Sequence, residues 1–173
     1  MMEVYPGLFI GNKGDCSLQS LKPSGNWAIV HVYPPCHQHA LGHRMPDTPE
    51  GLEYYLARRG QHLFVNLRDA EHAAYVHKEA QIDPVLSFMD EMRAQDTSLL
   101  VHCEQGWSRS PSLALLYLAT RLEVLPTESL GAAEAQFKAC YPGYASSYGI
   151  WAHLQQHWQQ YCAEGRASRK QAK

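Results

Sequence analysis

The stretch that most constrains this chain runs from Leu99 to Leu116 and reads LLVHCEQGWSRSPSLALL. An apolar run ends at His102 and Cys103, five residues intervene, and Arg109 and Ser110 then open an apolar pattern of helical period behind Pro111. That order predicts a strand, a tight loop and the start of a helix. Backbone N–H groups of a short loop feeding a helix N-terminus point inward and, with the positive end of the helix dipole, make a nest for an oxyanion. Arg109 adds a rigid fork of donors suited to bidentate phosphate binding. Cys103, at the start of the loop, faces the same donors, so one loop holds a nucleophile and a phosphate cradle. Gly106 can take backbone angles closed to other residues, and the Ser110 hydroxyl is placed to donate to the Cys103 sulfur. The plain alternative is a buried, inert cysteine that happens to precede an arginine.

The order His102-Cys103-x5-Arg109-Ser110 resembles the signature loop of the cysteine-dependent protein tyrosine phosphatases. With Gly106 and Ser108 in place, HCxxGxSRS resembles the dual-specificity branch of that superfamily. The opening Val4-Tyr5-Pro6-Gly7-Leu8-Phe9-Ile10-Gly11 is similar to the "I-x-P-G-L-Y-L-G" start of such domains, and YPGYASSYGIWAHL to their closing stretch. In the latter, Ser146-Ser147 stand where Pro-Asn is usual, which puts that asparagine's bracing role in question. The resemblance covers residues 3 to 161. It implies a single α/β domain with a central, mostly parallel mixed sheet of about five strands flanked by helices. A catalytic domain over 3–162 and a basic, disordered tail over 163–173 are expected, the tail being low in apolar residues.

Composition agrees with one such domain. The 173 residues suffice for a single core, and 45% hydrophobic content is ordinary for a globular protein. A net charge of −2 argues against a nucleic-acid partner bound by phosphate neutralisation, so phosphate recognition must be local. The N-terminus lacks the pattern of a signal peptide, and no apolar run approaches a membrane span. Five cysteines (Cys16, Cys36, Cys103, Cys140, Cys162) without paired spacing read as reduced thiols of a cytoplasmic chain, one of them a possible redox partner of Cys103. A monomer is expected.

Along the chain, residues 4–11 read as a small edge strand around a Pro-Gly turn, and Trp27 to Val32 as a buried strand. Residues 33–49 are rich in Pro, His and Gly and read as a long loop. Cys36, His37, His39 and His43 invite a metal reading, but no second ligand pair has matching spacing, so surface histidines are expected and no metal is assigned. Pro49 to Gly60 reads as a short helix bearing Leu52, Tyr55 and Leu56, and 62–67 as a strand. Asp83-Pro84 opens a helix with Asp83 as N-cap and Val85, Phe88, Met89 and Met92 inward. Residues 110–122 form a buried helix. Another starts at Pro126-Thr127 with Leu130, Ala133, Phe137 and Cys140 inward. A last helix, capped by Ser146 or Ser147, carries Ile150, Trp151, Leu154, Trp158 and Tyr161 on one face, with His153 and His157 solvated.

Displacing the alcohol of a phosphomonoester by a thiolate needs an acid for the leaving oxygen. Asp69 leaves the end of the 62–67 strand and matches the general-acid position implied by the resemblance; Glu71, His72 and Asp47 are the reserves. The catalytic set is Cys103, Arg109, Asp69, Ser110 and His102, the last bracing the loop. Glu104, Gln105, Gly106, Trp107, Ser108 and Arg109 would line the substrate, and no cofactor is needed. Glu104, an acid where relatives with lipid substrates carry bases, disfavours phosphoinositides and RNA 5′ ends. The expected partner is a phosphorylated protein or peptide, phosphotyrosine first, with phosphoserine and phosphothreonine second. Arsenate reductases and low-molecular-weight phosphatases place their cysteine loop near the N-terminus, and rhodanese-like sulfurtransferases do not need the Arg-Ser ending. A phosphoprotein-binding module without turnover is the non-enzymatic rival.

Overall fold

The computed structural model describes residues 1–16, 26–42, 51, 53–69 and 71–171. Six strands among these residues form one sheet: β1 (Met2–Tyr5), β2 (Leu8–Gly11), β3 (Trp27–His31), β4 (Leu56–Arg59), β5 (His62–Val65) and β6 (Ser98–His102). Their order is β1-β2-β6-β3-β5-β4. The four inner strands run parallel, and β1 and β4 close the edges antiparallel, each through a short hairpin. Glycines at positive φ make both turns, Gly7 at +74° and Gly60 at +61°. The two central strands, β3 and β6, are apolar along most of their length because parallel strands are covered on both faces.

Among the described residues, five α-helices flank the sheet: α1 (Pro34–Leu41), α2 (Asp83–Ala94), α3 (Arg109–Thr120), α4 (Leu130–Cys140) and α5 (Tyr148–Gln171). Every residue of α3 is buried, since it lies between the sheet and α5. Burying Leu113, Leu115, Leu116 and Leu118 is worth about 1.5–3 kcal/mol each, which anchors the helix that begins at Arg109. The main core lies on the sheet face of Leu8, Ile10, Ala28, Val30, Leu99 and Val101. Ile29 and Leu100, with Phe9 and Trp27, form a smaller cluster of their own.

The single α/β domain agrees with the sequence reading, with six strands in place of about five, because the 4–11 segment is a hairpin whose second strand, β2, lies inside the sheet. Other differences have local causes. Residues 34–41, read as loop, are helix α1: Pro34-Pro35 suit the first helical turn, and Gly42 at φ +70° ends it. The helix expected over 49–60 is instead strand β4 at 56–59, held by β5, since pairing to a neighbour overrides a weak helical spacing. Residues 49, 50 and 52 of that expectation lie outside the described residues.

Asp83 does not cap α2, because a π-helical turn over Lys78–Ile82 precedes it without a break; its carboxylate instead takes the Lys78 ammonium at 2.7 Å. Helix α4 starts later than expected, with Ser129 as N-cap accepting from the Ala132 N–H. Cys140 and Trp151 face outward. His153 is buried rather than solvated, because its Nε2 meets the Tyr161 hydroxyl at 2.9 Å. Nor does the chain become irregular after Cys162. Helix α5 continues to Gln171 because Gly165 packs on the Thr120 carbonyl, Glu164 reaches Lys78 at 2.7 Å and Arg121 reaches the Ser168 hydroxyl. No helix among the described residues is long and apolar enough to cross a membrane.

Candidate active site

Parallel strands bring their carboxyl ends to one edge of the sheet, and the loops leaving them gather there. Cys103 follows β6 at the centre of that edge and is 2% exposed. The seven residues from Cys103 to Arg109 wrap its sulfur. Gly106, at φ +79°, turns its N–H onto the Cys103 Sγ at 3.2 Å, and Ser110, in the first turn of α3, donates its hydroxyl to the same atom at 3.2 Å. Two donors thus converge on one sulfur and fix its position at the floor of the loop. The loop is held from outside by Tyr141, whose hydroxyl donates to the Gly106 carbonyl at 2.9 Å. Gly106 also has no room for a side chain, since a Cβ would meet the Gly11 carbonyl oxygen at 3.1 Å.

Arg109 opens α3 and is buried. Its Nη1 donates to the Leu67 carbonyl at 3.4 Å, and its guanidinium lies 5.9 Å from the centre of the Tyr33 ring. Its Nε is buried without a hydrogen-bond partner among the described residues, 3.8 Å from Asp69 Oδ2. A buried donor left unpaired is costly, and an oxyanion in the loop is the ligand that would satisfy it. Glu104 lies 4.0 Å from Arg109 Nη2 and pairs at 3.4 Å with Lys13, so its charge is shared between two cations.

Asp69 leaves the β5 end of the sheet and meets the loop through Ser108, whose hydroxyl donates to Asp69 Oδ1 at 2.6 Å. The Ser108 hydroxyl oxygen in turn accepts the Ser147 N–H at 3.0 Å. Ala145 donates to the Trp107 carbonyl at 2.9 Å, and the Ser146 and Ser112 hydroxyls lie 3.3 Å apart. The Ser146-Ser147 departure therefore leaves a brace in place, made by backbone N–H groups and hydroxyls.

A cavity of about 300 Å³ opens here, lined by Asp69, Cys103, Glu104, Gln105, Trp107, Ser108, Arg109 and residues 145–147. Trp107 is 57% exposed and forms part of the rim. Among the residues singled out in the sequence, Gly106, Ser110 and His102 act from behind the cavity. Glu71 and His72 are exposed and do not line it, and Asp47 and His43 lie outside the described residues. The place of the Ser108 hydroxyl between Asp69 and Ser147 has no signal in the sequence, where Ser108 reads only as a substrate-lining residue.

His102 is fully buried. Burial pushes its pKa down to about 4, and that of His31 down to about 3, so both are neutral. His102 Nδ1 is 3.3 Å from the Cys103 carbonyl, and its Nε2 is 2.8 Å from His31 Nδ1. His31 Nε2 is in turn 3.0 Å from His62 Nδ1. The loop thus rests on a row of imidazoles, of which His102 and His31 are buried and His62 half-buried.

No family model matches the chain. Over 118 residues, 68% of its length, it is 29% identical to mouse dual specificity protein phosphatase 2, and this match spans 31% of that protein. The chain thus corresponds to about a third of the length of the curated relatives it matches. The fold is shared with human DUSP28 (TM-score 0.65, 21% identity, 97% and 99% of the two chains). It is also shared with a mouse protein of dual specificity phosphatase type (TM-score 0.65, 25% identity, 94% and 88% of the two chains). In both sequence and fold, then, the chain is similar to proteins of dual-specificity phosphatase type.

Proposed function

We propose that this protein is a phosphomonoester hydrolase acting on phosphoproteins, phosphotyrosine first, through a phosphocysteine intermediate. The observation that carries the reading is the Cys103 sulfur held by the Gly106 N–H and the Ser110 hydroxyl, beside an Arg109 Nε that lacks a hydrogen-bond partner among the described residues.

In the first step the Cys103 thiolate attacks phosphorus and the P–O bond to the alcohol breaks. Arg109 and the loop amides hold the equatorial oxygens, and the Asp69 carboxyl gives its proton to the departing oxygen. In the second, Asp69 takes a proton from water as that water attacks phosphorus. Phosphate leaves, and Ser110 stabilises the thiolate that re-forms. Trp107, on the cavity rim, offers a flat surface for an aromatic substrate ring. The catalytic unit is assigned to residues 3–162, with the remainder of α5 supporting it through Glu164 and Gly165, and works as a monomer in the cytoplasm, where its free thiols would stay reduced.

The test is a p-nitrophenyl phosphate and phosphopeptide assay on reduced protein. Cys103→Ser is expected to abolish turnover while inorganic phosphate still binds. Asp69→Ala should retain phosphopeptide and turn it over at least about a hundredfold more slowly. Turnover by the Cys103→Ser protein would overturn the reading. Phosphopeptide binding by the unaltered protein without phosphate release would favour a binding module instead.

A further inference from the structure

Behind the signature loop, four side chains that do not line the cavity converge from separate parts of the chain. Cys16 lies in the loop after β2, His31 ends β3, Cys36 sits in the first turn of α1, and His102 ends β6. His31 and His102 are direct neighbours in the sheet register. One ligand atom from each of the four lies within 4.8 Å of all the others.

We propose that Cys16, His31, Cys36 and His102 form a structural zinc site that clasps the signature loop from behind. Two thiolates and two imidazoles are the donor set of closed, four-coordinate zinc sites. Bonds of about 2.0–2.3 Å in a tetrahedron put ligand atoms roughly 3.3–3.8 Å apart, a spacing these side chains reach by small rotations. Two thiolates also balance the charge of the dication, which suits a site whose two histidines are fully enclosed.

The surroundings fit the same role. His31 Nδ1 and His102 Nε2 face each other at 2.8 Å, and their other ring nitrogens point away, to His62 Nδ1 and the Cys103 carbonyl. With the facing nitrogens on the metal, each opposite N–H has an acceptor, the arrangement that fixes the tautomer of a metal-bound histidine. Binding transfers no electrons; each thiol gives its proton to solvent as its sulfur bonds the metal. The metal would tie α1 and the loop after β2 to the residue that precedes Cys103. The pattern is hidden in the sequence because the ligands stand at 16, 31, 36 and 102. Of the residues that invited a metal reading there, only Cys36 belongs to the set.

The test uses reduced, chelator-stripped Cys103→Ser protein, so that the loop thiol cannot compete and the result does not depend on catalysis. Titration with Co(II) is expected to saturate at one equivalent. Tetrahedral ligand-field bands and a sulfur-to-cobalt charge-transfer band should appear and be lost on adding Zn(II). Because losing a mere outer partner costs 10–100-fold in affinity, Cys16→Ser and Cys36→Ser are each expected to weaken binding at least about a hundredfold. Their far-ultraviolet circular dichroism should be unchanged, and His39→Gln, an exposed neighbour, should bind as before. A six-coordinate cobalt spectrum, or uptake insensitive to both cysteine substitutions, would overturn the proposal. So would a Cys16–Cys36 disulfide that forms in the presence of excess zinc.

Discussion

Ser108 donates its hydroxyl to the Asp69 carboxylate at 2.6 Å, so the loop that carries Cys103 and Arg109 also holds the proposed acid. Ser108 Oγ also accepts the Ser147 N–H. One small side chain thereby joins three segments that are distant in sequence.

If that tether positions the acid, Ser108→Ala lowers kcat about tenfold on phosphotyrosine peptides, the equivalent of ~1.4 kcal/mol and within the range of a hydrogen bond to a charged group. On p-nitrophenyl phosphate, whose leaving group departs with little help from an acid, the loss is smaller, and KM barely moves on either. Steady-state kinetics on both substrates checks this. An equal loss on the two would mean that Ser108 acts on the cavity instead.

Gly106→Ala forces a side chain into φ +79° and sets its Cβ against the Gly11 carbonyl oxygen. The left-handed conformation alone costs about 1–2 kcal/mol, and relief of the clash moves the N–H off the Cys103 sulfur. Denaturant unfolding should show a loss of about that size, with kcat/KM down at least about tenfold. Unchanged turnover would remove Gly106 N–H from the account of the thiolate.

His153 supplies a pH dependence of stability. Burial, then the neighbouring His157, push its pKa from 6.5 down to about 4; His77 and Lys78 act in the same direction and Glu79 opposes them. The native state keeps it neutral while the unfolded chain takes up a proton below about pH 6.5. Stability from this residue is therefore full above that pH and is lost as pH falls toward 4, with a slope of up to about 1.4 kcal/mol per pH unit. His153→Gln should flatten the stability profile between those values. An identical slope in the variant would show that other groups carry it.

Ending the chain after Cys162 removes Glu164 from Lys78 and Gly165 from its seat on Thr120. Lys78, 5% exposed, is left with Asp83 as its one ion-pair partner among the described residues. The shortened chain should unfold with a free energy about 1–3 kcal/mol lower, read by thermal or denaturant melts. A stability equal to that of the full chain would restore the boundary at 162 suggested by composition.

The legible parts of the molecule are those whose cause is local. The strand, loop and helix around Cys103 can be read because apolar period, glycine and helix start follow one another within eighteen residues. Helix α2 is legible from Val85, Phe88, Met89 and Met92 alone. Helix α1 carried its own signals too, prolines at the start and Gly42 at the end, but a composition heavy in histidine and proline masked them. Strand β4 had no such signal. Its four residues, Leu-Ala-Arg-Arg, become a strand because β5 offers a row of hydrogen-bonding partners.

By itself, then, the sequence determined the strand, loop and helix around Cys103, whose residues are close along the chain, and through its resemblance pointed to the α/β fold and to the chemistry proposed for that loop. Only the tertiary structure decided which hydroxyl holds Asp69, how Ser146 and Ser147 replace the usual brace, and that Cys16 and Cys36 meet behind His102. The reason is physical. These contacts join segments brought together when parallel strands align their carboxyl ends, and no spacing along the chain encodes that distance.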